Sequence, residues 1–312
     1  MLPAMSSISD VVFDPAAAYP EVAALRSALA GRNWPACRTV LDAVTPVART
    51  SLIIVAGEET GLEAFLTATL RDEPNDGTAA ALLGSHLTAV GWRARSGFRA
   101  QYVNEHQFAE FHSLLRKAER GLVDGSARNP TDPAIWTARL PTARGLQLGQ
   151  SEARRRYDRL AAIDPHHLPG QRHLLQQLCP KWSGSWQQTH EFARESLRTA
   201  PPGSHNAVLV AEAHIEHWLD RPGEEGQQYL GSSPVRDALY EAAHHSVWHP
   251  DFQRTHGWVS VLSTFAMAFS AGGDYRSAGP LFATLGNLAS ERPWSYLGNP
   301  ATAIRRYRAL SV

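Results

Sequence analysis

The stretch Val259–Arg292, VSVLSTFAMAFSAGGDYRSAGPLFATLGNLASER, decides the fold of this chain. Leu262, Phe265, Ala266 and Phe269 stand three or four residues apart, the spacing that puts side chains on one face of an α-helix. Gly272-Gly273-Asp274 then stops that helix. Glycine tolerates the left-handed backbone found at helix C-termini, and an Asp side chain caps the helix that follows. In that second helix a small residue, Ala278, precedes a large one, Phe282, a pairing that lets two antiparallel helices approach closely. The pattern reads as helix, turn, helix.

Working outward, the pattern recurs. Pro20 suits a first helical position, and Val22, Leu25 and Leu29 form a stripe. Gly31-Arg32-Asn33 makes a turn, and Trp34, Cys37, Leu41 and Val44 form the next inward face. Over 134–165, Leu140, Ala153, Tyr157 and Pro165 hold the same register, with Trp136 one place early. These units resemble the tetratricopeptide repeat, a helix–turn–helix module of about 34 residues. Two residues depart from it: Ser290 stands where the repeat closes with proline, and Pro280 sits inside the second helix.

That resemblance implies an all-α fold, a right-handed superhelical array of antiparallel helix pairs, and a protein or peptide partner on the concave surface. Short helical hairpins cannot bury their faces alone, so they stack. By the same implication the candidate partner-binding residues are Ser260, Ser263, Met267 and Ser270, spaced three, four and three beside the core stripe. Arg139 and Arg144 are the candidates in the unit over 134–165. An ordinary solvated helix face accounts for the same spacing.

The remaining segments fit around these units. Residues 1–19 are expected to form a leader with a brief apolar touch at Val11-Val12-Phe13. Helical repeats are expected over 20–124 and 131–312, the latter ending in a capping helix with Ile304, Tyr307 and Leu310 on one face. The breakers Gly125, Asn129-Pro130 and Asp132-Pro133 mark the boundary. Leu52-Ile53-Ile54-Val55 reads as a buried strand or a buried helix, and its helical flanks favour helix. Phe108, Phe111, Leu115, Ala118 and Leu122 form one stripe, with His112, Arg116, Lys117 and Glu119 off it. Pro141 is expected to interrupt its helix, and 220–226 to be an acidic loop. Trp182 and Trp186 either cap the core or face a ligand, and packing is the preferred reading.

Composition narrows the function. Thirty basic residues against thirty acidic give zero formal charge, which argues against nucleic acid as a partner. Two distant cysteines, Cys37 and Cys179, provide neither a disulfide framework nor a zinc motif and point to the cytoplasm. The first residues lack a signal-peptide pattern, and no apolar run is long enough to span a membrane. No Gly-x-Ser-x-Gly elbow or phosphate-cradling glycine loop occurs. The expectation is a non-catalytic binding scaffold, no enzyme, with no cofactor and no bound metal.

The rival reading lies in the histidine-rich interval 205–256. His214 and His217 are three apart and His245 and His249 four apart, and Glu241 precedes His244 at Glu-x-x-His spacing. Convergence of these groups from neighbouring helices would make a metal-dependent enzyme; surface or half-buried histidines are the plainer alternative. A sensor binding a small ligand between repeats is a third possibility.

Overall fold

A computed structural model describes residues 10–95, 104–221 and 223–311. Among these the chain is all-α, and the β-type pairing is one isolated bridge, Val12 to Leu288. Residues 20–189 form one compact unit; residues 10–19 with 190–311 form the described part of another.

The unit over 20–189 contains α1 (Pro20–Ala30), α2 (Trp34–Asp42), α3 (Pro46–Gly57), α4 (Glu63–Asp72), α5 (Gly77–Arg95), α6 (Glu105–Arg128), α7 (Pro133–Gly145), α8 (Gln150–Ala161) and α9 (Leu168–Leu178). α1 and α2 pack as an adjacent pair, with Val22, Leu25, Leu29, Trp34, Cys37 and Leu41 all buried. Asn33 caps α2 by accepting from the Ala36 amide. The ambiguous apolar run is helix α3. Thr45 caps it, Pro46 occupies its first turn, and Leu52 and Ile53 are buried in it. α3 packs on α1, α2, α5, α7 and α9, so its contacts reach beyond sequence neighbours. One such tie is the hydrogen bond between His167 Nε2 and Thr50 Oγ1, at 3.1 Å.

α5 and α6 make the most extensive helix–helix interface of this unit. Gly84 allows it, because a Cβ there would lie 2.5 Å from Leu122 of α6. Asp76 precedes α5 and is buried while serving three donors. Its Oδ1 accepts from the Ala79 amide, and its Oδ2 accepts from Trp34 Nε1 at 2.8 Å and Arg38 Nη1 at 2.9 Å. Residues 124–132 are the end of α6 and the turn into α7, and α6 and α7 pack together within this unit. α7 runs unbroken through Pro141, contrary to the expected interruption.

The other unit continues with α10 (Trp186–Thr199), which carries the chain across residue 190. It then has α11 (Val208–Leu219), α12 (Gly223–Gly231), α13 (Ser233–His245), α14 (Trp258–Ala271), α15 (Tyr275–Leu285), α16 (Glu291–Trp294) and α17 (Pro300–Leu310). The stretch Val259–Arg292 carries the pair α14–α15. Gly273 has φ +82°, and Asp274 Oδ1 accepts from the Ser277 amide to cap α15. Leu262, Phe265, Phe269, Ala278 and Phe282 are buried. Pro280 lies inside α15 without ending it. The segment expected as an acidic loop begins α12, with Glu224 and Glu225 in its first turn, where acidic side chains suit the helix dipole.

The expected leader makes its apolar touch through Val12. Its first nine residues lie outside the described ones, but residues 10–19 are pinned. Val12 donates to the Asn287 carbonyl at 2.8 Å and accepts from the Ala289 amide at 3.0 Å. Tyr19 is buried, its hydroxyl accepting from the Val259 amide at the start of α14. No helix among the described residues is long and apolar enough to cross a membrane.

Candidate functional site

The expected partner-binding stripe is not a surface. Ser263, Met267 and Ser270 are 0–1% exposed, and Ser260 is half-buried. Ser263 Oγ accepts from the Ser290 amide. α14 is apolar almost all round, and a helix of that kind is enclosed on every side. The serines of the expected stripe are a poor sign of a surface because small hydroxyl side chains bury readily inside a helix. Thr264, for example, donates to the Ser260 carbonyl one turn back.

Arg139 and Arg144 belong to the unit over 20–189 and are already engaged there. Arg139 is buried, donating to Ser126 Oγ at 3.0 Å and Glu119 Oε1 at 3.1 Å. Glu119, read as a residue off the core stripe, also receives both terminal nitrogens of Arg156, at 2.8 and 2.9 Å. Arg156 is 2% exposed and reaches Glu152 through Nε at 2.7 Å. Arg144 lies over the rings of Trp92 and Trp182 and donates to the His173 carbonyl. Trp182 meets Trp92 edge-on at 5.9 Å, which is packing.

The histidines separate into two sets. His244 packs edge-on against Trp248, His245 Nε2 bonds the Ala200 carbonyl, and His249 Nδ1 accepts from the Asp251 amide. These three do not converge. His214 and His217 of α11 do come together, with two residues the sequence reading missed: His190 of α10 and Tyr229 of α12. The Tyr229 hydroxyl lies 2.7 Å from His214 Nδ1, 2.9 Å from His217 Nδ1 and 3.4 Å from His190 Nε2. His190 Nε2 is 3.0 Å from His217 Nδ1. Burial, reinforced by the neighbouring imidazoles, pulls the His214 pKa down to about 3 and that of His190 to about 4. Burial and then Arg221 lower that of His217, and burial raises that of Tyr229. The cluster therefore holds three neutral imidazoles around one phenol. His214 and His217 were legible as a helical pair, whereas His190 and Tyr229 lie on other helices with no spacing to announce them.

A second feature is a cleft of about 300 Å3 where α12 and α13 meet α14 and the α14–α15 turn. Phe269, Leu239 and Leu230, all buried, lie beneath it, and Arg236, Tyr240 and Asp274 supply its polar groups. Gly272 lets the ends of α12 and α14 touch, since a Cβ there would lie 2.8 Å from the Leu230 carbonyl oxygen. Tyr240 donates to Asp274 Oδ2 at 2.7 Å, beside the Ser277 hydroxyl at 2.8 Å from the same oxygen. Burial opposes the Asp274 charge, but the bonds from Tyr240 and Ser277 outweigh it and hold the pKa below the ordinary carboxylate value. Arg236 is exposed, and its positive charge also helps to hold the Asp274 pKa down.

No family model matches the chain, and no curated protein or solved structure is significantly similar to it. The likeness to tetratricopeptide repeats rests on the residues quoted above.

Proposed function

We propose that the chain is a non-catalytic binding scaffold that captures a peptide segment of a protein partner in the α13–α14 cleft. The helix pairs α1–α2, α7–α8 and α14–α15 support a repeat-like origin, with the right-handed superhelical array as the arrangement that origin implies. One observation carries the binding reading. The exposed Arg236, whose charge also acts on Asp274, stands in a cleft lined besides by Tyr240 and Asp274. A carboxylate of the bound segment pairs with Arg236 through charge-assisted hydrogen bonds. Asp274 is committed to Tyr240 and Ser277 and shapes the wall.

Selection of a displayed peptide library on the full chain tests this. Selected peptides are expected to carry an acidic residue. Arg236→Ala should weaken their binding by about tenfold, the loss of one charge-assisted pair. Selected peptides that bind Arg236→Ala as tightly as the original chain would overturn the cleft as the recognition point.

A further inference from the structure

We propose that His190, His214 and His217 form a binding site for a divalent transition-metal ion, with the Tyr229 phenol occupying the point that the ion would take. The proposal is independent of the peptide cleft and rests on where three nitrogens aim. Imidazole nitrogens from α10 and from two consecutive turns of α11 converge on a single oxygen, at 2.7, 2.9 and 3.4 Å. A phenol has one proton to donate and a limited capacity to accept. Three imidazoles fill that capacity, and two of them are also 3.0 Å from each other. Three convergent nitrogens are what a metal ion needs. Zinc, cobalt, nickel and copper favour imidazole, whereas magnesium and calcium require oxygen donors that this cluster lacks.

As the chain stands, no group of three or more His, Cys, Asp or Glu among the described residues is set to hold a metal ion. The phenol explains why. It fills the focus, and the nitrogens stand at hydrogen-bond separation from it, not at the roughly 2.0–2.1 Å of a metal–imidazole bond. An ion enters only if Tyr229 withdraws and the imidazoles close in. α12 is suited to that movement, because Glu224, Glu225 and Gln228 are exposed, and Gly226 and Leu230 are the buried positions among its described side chains.

The protons can be balanced. Arg221 Nη2 lies 3.2 Å from His217 Nε2, and a guanidinium only donates, so the His217 proton sits on Nδ1. Binding through Nδ1 moves that proton to Nε2 and releases Arg221, which is exposed. Tyr229 keeps its own proton. Tyr229 and Arg221 thus both oppose the ion, one by place and the other by charge and tautomer.

The test is titration of the untagged full chain with Co2+ and Zn2+, followed by calorimetry and by the visible spectrum of the cobalt form. One ion per chain is expected, with the intense absorption of low-coordinate cobalt. Tyr229→Phe keeps the ring, removes the competing oxygen and should tighten binding by about tenfold, the value of one good hydrogen bond. Arg221→Ala should tighten it as well. His190→Gln and His214→Gln should each weaken it by at least about tenfold. Failure of both the original chain and Tyr229→Phe to bind would overturn the site, as would equal affinity in the two. Binding that survives His214→Gln unchanged would place the ion elsewhere. Should the histidine variants fold poorly by circular dichroism, Tyr229→Phe and Arg221→Ala decide the matter, since both leave the imidazoles in place.

Discussion

Glu152 is held by two arginines on its own helix, α8. Arg155 binds it through Nε and Nη2, both at 2.7 Å, and Arg156 through Nε. The bond from Arg155 leads, burial works against the charge, and Arg156 adds to Arg155; the net effect holds the carboxyl near 2 against an ordinary 4.5. A lowered folded-state pKa means that the unfolded chain takes up its proton first. The stabilisation is therefore complete above about pH 4.5 and disappears as pH falls toward 2. Glu152→Gln is expected to be less stable than the original chain at pH 7, with the gap markedly narrower at pH 3. Urea midpoints at the two values check it, and a gap independent of pH would mean that the ion pairs add nothing. Residue identity alone did not reveal this network. The i, i+3 and i, i+4 spacing of Glu152 to its arginines is visible in the sequence, but Arg156, Arg139 and Glu119 meet only because α6, α7 and α8 pack together. Nothing local marks an arginine as one destined for burial.

Elements were more legible than sites, because a helix writes its inward face into the chain every three or four residues. α1, α2 and α15 follow that rule, and the caps of α2 and α15 at Asn33 and Asp274 are where turn chemistry puts them. The rule fails where burial is all-round. In α14 the polar stripe of Ser263 and Ser270 has a protein wall over it, and periodicity reports contrast between faces, which such a helix lacks. Glycine in α5 is another case. Gly84 reads as a weak helix former, and Gly84→Ala would gain up to about 1 kcal/mol in propensity. Yet the new methyl would sit 2.5 Å from Leu122, itself fully buried and unable to swing aside. Overpacking of that kind costs roughly 1–3 kcal/mol, so the clash is expected to win and the variant to lose about 1–2 kcal/mol. Denaturant unfolding measures the difference. A stabilised variant would show that α5 and α6 can part at no cost.

At the scale of the whole chain, residues 20–189 have a core of their own, from Leu25 and Leu41 through Leu52 and Leu122 to Leu175. Expressed alone, this segment is expected to show strong helical circular dichroism and a single cooperative thermal transition. A broad, non-cooperative melt would mean that the division into units is not one of stability. The remaining unit is assembled differently, because it takes residues from both sides of that segment. Tyr19 meets Val259 across 240 residues of chain, and Val12 pairs with residues 287–289. On a ribosome adding about 5–20 residues per second, the Tyr19 hydroxyl waits roughly 10–50 s for its partner to be made. During that interval residues 20–189 can emerge and fold, so the early arm is held in reserve while a complete body forms behind it. Birth order and folding order are thereby reversed for residues 10–19, and Val11, Val12 and Phe13 wait in water until residues 287–289 are made.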